Sequence, residues 1–193
     1  TQVLQCNPKI LLAKELLGYT YYNMQMWGNA LSYFEQFEDA KPTSRIFLEG
    51  IVYFWMAWCY GKKKDYLKEE EYYRKSLEAL PVGENTLNNL GYSLYKQRKF
   101  KEAQSVFEDC LRQNRDVRYA ANNLVRTLLA QGKNGEAQRV IQEHERFVSK
   151  DLKKRAEKPV GKEKIAVTEP AVTEVEPESI VDIGVKKQQF SRE

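Results

Sequence analysis

Residues 84–117 read ENTLNNLGYSLYKQRKFKEAQSVFEDCLRQNRDV, and this stretch decides the fold. Leu87, Leu90, Gly91 and Leu94 stand at helical spacing and make one apolar stripe, while Ala103 and Phe107 fall one turn apart on a second helix. One period further along, the same places hold Ala121, Leu124, Val125, Leu128, Ala137 and Ile141, so every apolar position is kept. One period back they hold Tyr53, Met56, Ala57, Tyr60, Glu69 and Tyr73, with Pro81 closing the unit and only Glu69 breaking the pattern. A further, slightly longer step back reaches Leu17, Gly18, Tyr21, Ala30, Phe34 and Pro42. The units therefore run 11–44, 50–83, 84–117 and 118–151. A fixed period of this length predicts stacked helix pairs, because no pair can bury its stripe alone.

The first unit carries the fullest pattern: Leu17-Gly18-x-x-Tyr21, Ala30-x-x-x-Phe34 and Pro42. In this it resembles the tetratricopeptide repeat family, with Lys14 where that family prefers an aromatic residue. The resemblance extends over about 140 of the 193 residues and implies an all-α fold, a right-handed superhelical solenoid of antiparallel helix pairs. Gly91 and Ala103 are small where the two helices of a unit approach most closely. At Glu69 the helix pair is expected either to widen or to turn the carboxylate outward; with Glu70 and Glu71 it reads as a solvated face. Ser44 reads as the N-cap of a long helix over about 45–60, whose apolar run is too short and too charged at Glu49 for a membrane span.

The end of the array reads as one elongated helix from Glu136 through Phe147, Val148 and Leu152 to about residue 158, just before Pro159. The array thus occupies 1–158. Residues 159–193 lose helical periodicity and read as a disordered tail, or as a linker to a further domain.

Composition narrows the function. The 31 basic and 27 acidic residues leave a net charge of +4, a densely charged but nearly balanced surface that argues against nucleic acid. Cys6, Cys59 and Cys110 are scattered and odd in number, which suggests reduced, buried thiols and a cytoplasmic protein rather than a disulfide framework or zinc site. The single histidine, His144, reads as a packed helix residue. Local spacing assembles no nucleophile with a base, no three-ligand metal site and no Gly-rich phosphate loop, so no catalysis and no cofactor are expected.

What the family resemblance implies is binding: the first helices of successive repeats line a concave groove that takes a peptide or helix of a protein partner. On this chain the groove positions are Tyr19 and Tyr22, Phe54 and Trp58, then Asn88, Asn89, Tyr92 and Tyr95, then Asn122, Asn123 and Arg126. Asn89 and Asn123 are one period apart, at the place where some family members hold a peptide backbone through side-chain amides. The lysines, asparagines and arginine that clamp a chaperone's terminal carboxylate in other members are not rebuilt here. The function read from the sequence is a non-catalytic adaptor or scaffold. The alternative is a regulatory or substrate-recruiting array of a larger enzyme with its catalytic domain beyond residue 193.

Overall fold

The computed structural model describes residues 8–39, 46–80, 83–114 and 118–157. Pro42, Ser44, Pro81, Cys6 and the proposed tail lie outside the described residues. Every regular element among the described residues is helical: α1 (Pro8–Asn23), α2 (Trp27–Asp39), α3 (Ile46–Lys62), α4 (Tyr66–Ala79), α5 (Glu84–Lys96), α6 (Phe100–Gln113), α7 (Arg118–Ala130), α8 (Asn134–Glu143), a 3-10 turn (Glu145–Phe147) and α9 (Lys150–Ala156). They fall into two compact units, one holding α1–α4 and the other α5–α9.

In the first unit α1 packs on α2 and α3 on α4, and α2 in turn packs on α3. In the second, α5 pairs with α6, α6 stacks on α7, and α7 pairs with α8. The close approach inside a pair is set by glycine. A Cβ on Gly91 would stand 2.6 Å from Cε1 of Phe107, and one on Gly18 would stand 2.5 Å from Cε1 of Phe34. Both phenylalanines are fully buried.

The second pair solves the same problem differently. Glu69 points inward and is buried, not turned to solvent. Room comes from Gly61, where a Cβ would meet Glu69 Oε1 at 2.3 Å. The acidic run 69–71 is therefore not one solvated face, although Glu71 is exposed.

Each turn inside a pair is built alike. Gln25, Lys64, Arg98 and Gly132 stand at the same register and all have positive φ, between 58° and 73°. The amide of the next residue bonds a carbonyl five residues back, as Met26 to Tyr21 at 2.9 Å, Asp65 to Tyr60 at 3.0 Å and Lys99 to Leu94 at 2.9 Å. These bonds close the helix C-termini with a left-handed residue, which reverses the chain within a few residues.

The elongated final helix expected to residue 158 is broken. α8 stops at Glu143, a 3-10 turn follows, Val148 is extended, and Ser149 starts α9 by accepting a bond from the amide of Leu152 at 3.4 Å. The physical reason lies in α7: the Asn122 side-chain amide donates to the Phe147 carbonyl, and its oxygen accepts from the Ser149 amide at 2.9 Å. Held there, the chain turns Val148, Leu152 and Ala156 inward as a buried cover over α7 and α8.

Candidate functional site

The groove positions expected from the sequence separate into three environments. Phe54 is core: it is 1% exposed and its ring meets Tyr73 edge-on at 5.5 Å between α3 and α4. Tyr19 and Tyr22 stack on each other, centroids 6.2 Å apart, and lie tilted against Trp55 at 4.8 and 6.4 Å. Trp58 is buried under the Lys62 ammonium, 4.3 Å from its ring centroid. These belong to the first unit.

The asparagines of the second unit are occupied with one another. Asn88 Nδ2 donates to Asn89 Oδ1 at 3.2 Å, and Asn123 Nδ2 donates to Asn88 Oδ1 at 3.0 Å, linking α5 to α7. All three residues are buried. A buried amide left unbonded costs about 1–3 kcal/mol, so this chain of bonds holds the helices together where a solvent-facing ladder was expected. Asn122 is likewise engaged, as the clamp on the segment between α8 and α9.

Tyr92, Tyr95 and Arg126 remain as a coherent group. Tyr92 and Tyr95 lie one turn apart on α5, and both act electrostatically on Arg126 of α7. The Arg126 guanidinium is desolvated, which lowers its pKa from the ordinary arginine value, while the two phenols favour its charge. From α9, Arg155 opposes that charge and Asp151 supports it. Nη1 of Arg126 is buried and has no hydrogen-bond partner. Burial raises the Tyr95 phenol, with Arg126, Arg155 and Lys96 acting in the opposite sense. Lys96 also sits 5.4 Å from the Tyr92 ring centroid. The result is a largely buried aromatic and cationic group, Tyr92 and Tyr95 being 8% and 6% exposed, in which Arg126 carries a donor facing no acceptor. Among the described residues no group of histidine, cysteine and carboxylate side chains could hold a metal ion, and no helix is long and apolar enough to cross a membrane.

α9 contributes to this surface through Asp151 and Arg155, neither of which the sequence reading selected. The clue was present in Ser149, a good N-cap followed by an apolar residue at Leu152.

Two matches to the family model described as Tetratricopeptide repeat cover residues 51–81 and 88–149. These spans hold the second, third and fourth helix pairs with their repeated turns. Over these residues the chain is built of tetratricopeptide repeats. No curated protein matches the chain in sequence. Among solved structures, a crystal structure of MamA is 15% identical, covers 79% of this chain and 84% of its own, and superposes with a TM-score of 0.66. A second, MamA AMB-1, is 18% identical over 71% of this chain and 78% of its own, with a TM-score of 0.62. YrrB, described as a tetratricopeptide protein with an unusual peptide-binding site, is 16% identical over 72% of this chain and 68% of its own, with a TM-score of 0.61. At these identities the likeness concerns the tetratricopeptide fold.

Proposed function

We propose that this tetratricopeptide protein is a non-catalytic interaction module that binds a peptide or helix of a protein partner on the α5–α7 face, around Tyr92, Tyr95 and Arg126. One observation carries the reading: a desolvated guanidinium whose Nη1 donor finds no acceptor in the protein. Such a group costs stability when left unpaired, and recognition of an incoming carbonyl or carboxylate offsets that cost. Tyr92 and Tyr95 flank it from the edge of the core, buried but for 8% and 6% of their surface, and tyrosine is a residue type enriched where interfaces concentrate their energy. The peptide-binding site of YrrB, a protein of the same fold, lends the reading general support. The reading calls for no cofactor. Cys59 and Cys110, buried as thiols, suit a reducing compartment, and the cytoplasm is the proposed location.

An array of immobilised peptides graded in acidic content, probed with the full chain, is the first test. Binders should be found, and Arg126→Met should lose them with its helical signal intact. An array without binders, or one bound equally by Arg126→Met, would overturn the reading.

A further inference from the structure

One edge of the first unit is apolar and cationic at once. α1 pairs with α2, α2 packs on α3 and α3 pairs with α4, so α1 and α3 run the same way and the turns that follow them, at Gln25 and Lys64, come out at one edge. The corresponding turns of the second unit do the same, where Arg98 and Lys99 line one cleft with Gln131 and Lys133. On the first unit's edge Met24 is 61% exposed, Met26 41% and Leu67 70%. Lys63, Lys64 and Lys68 stand among them, all exposed. From Lys62 to Lys68 the chain carries four lysines against one carboxylate, Asp65, which is occupied in accepting from the Lys68 amide at 3.2 Å. Residues 23–28 of the neighbouring turn carry no charge.

The fold does not require these apolar residues. By the repeat register, Met24 stands where the other turns have Lys63, Gln97 and Gln131, and Met26 where they have Asp65, Lys99 and Lys133. Leu67 stands where they have Gly28, Lys101 and Gly135. Met26 also takes the place before α2 that Asp65 fills as the cap of α4, and methionine is a poor residue there. Behind the tips, Trp27 is partly exposed and meets Tyr22 edge-on at 5.7 Å. An amphipathic ring of this kind suits a boundary between apolar and wet surroundings.

We propose that this edge lies against an anionic lipid surface, with Met24, Met26 and Leu67 entering the headgroup boundary and Lys63, Lys64 and Lys68 meeting the lipid anions. The lysines select an anionic partner. The apolar side chains stand on separate turns as outward points, which suits a yielding apolar layer better than the rigid face of a folded protein. Neither part is enough alone, because three side chains bury little area and exposed lysines are screened by salt, so the two act together. The site belongs to the first unit and does not depend on the α5–α7 face.

The test sediments the full chain with vesicles of equal parts phosphatidylserine and phosphatidylcholine, and separately with vesicles of phosphatidylcholine alone. Saturable binding to the first is expected, and at least tenfold weaker binding to the second. Met24→Ser with Leu67→Ser, and Lys63→Glu with Lys64→Glu, should each weaken binding at least tenfold. All four positions are exposed, so circular dichroism should show helicity kept; should one pair lose it, the other decides. Lys150→Glu with Lys154→Glu, the same change of charge at exposed positions of α9, should leave binding unchanged. No binding to the anionic vesicles overturns the proposal and leaves an acidic protein as the occupant to seek. Equal binding to both kinds of vesicle overturns it too. So does binding that survives the Met24 and Leu67 changes, or that falls as far with the α9 pair, because attraction by net charge would then explain it.

Discussion

Phe107 is buried so close to Gly91 that three of its ring carbons would lie 2.6–2.8 Å from a Cβ placed there. Gly91→Ala gains helix propensity worth up to about 1 kcal/mol but forces the ring into a filled core, which typically costs about 1–3 kcal/mol. Net destabilisation is expected, seen as a lower Tm in a thermal melt; an unchanged or raised Tm would mean that the pair is looser than described. The tyrosines of the first unit offer a test with a pH axis. Tyr60 Oη donates to Glu35 at 2.9 Å, and Tyr72 Oη donates to Glu38 at 2.8 Å. Burial first, and then these bonds, raise both phenols well above their ordinary value, as they do Tyr53, bonded to Glu49. Their folded-state pKa values exceed the unfolded value of about 10, so their contribution is fully present below about pH 10 and is lost as pH rises from there through the folded-state values. Absorbance at the tyrosinate band should show part of its signal appearing only as helicity falls. Complete titration near the ordinary phenol pKa with helicity intact would contradict the burial of these groups.

At the level of elements, the apolar period made four helix pairs legible, because Leu90, Leu94, Leu124 and Leu128 recur at one spacing and must face one core. The boundaries of α3 were read within a few residues for the same reason. The turns were not foreseen: three of the four positive-φ positions are Gln25, Lys64 and Arg98, which give no glycine signal, and only Gly132 does. The break after α8 was missed because Phe147, Val148 and Leu152 fit a continuing helical stripe as well as a broken one. What breaks it is a bond from a distant element, Asn122, and such a partner leaves no local mark in the sequence. Of the candidate site, register brings Tyr92, Tyr95 and Arg126 to one place, but the burial of both tyrosines beside the guanidinium was not foreseen. The bonding of the asparagines to one another was not foreseen, because register says where a side chain starts, and not that Asn88 would turn to Asn123. Asn122→Ala removes both anchors of the segment before α9 and should cost about 1–3 kcal/mol. Hydrogen exchange should then show Leu152 and Ala156 losing protection while Leu124 and Leu128 keep theirs. Equal protection in both proteins would show that α9 docks without Asn122.

At the scale of the molecule, helix pairs stack within each of the two units, and the proposed binding face lies wholly within the second. Recognition by shape and hydrogen bonding is the work proposed for it. Proteins commonly give up stability at the places where they bind, and a buried donor without an acceptor is a place of that kind. Replacing Arg126 with methionine keeps much of the apolar stem of the side chain while removing the desolvated charge. The most direct measurement is therefore a paired one on the Arg126→Met full chain: its Tm, and its affinity by anisotropy for a peptide selected on the wild-type protein. A Tm equal to or above that of the wild type is predicted, together with at least a tenfold loss of affinity. A fall in Tm with affinity retained would make Arg126 a structural residue and contradict its proposed role in binding.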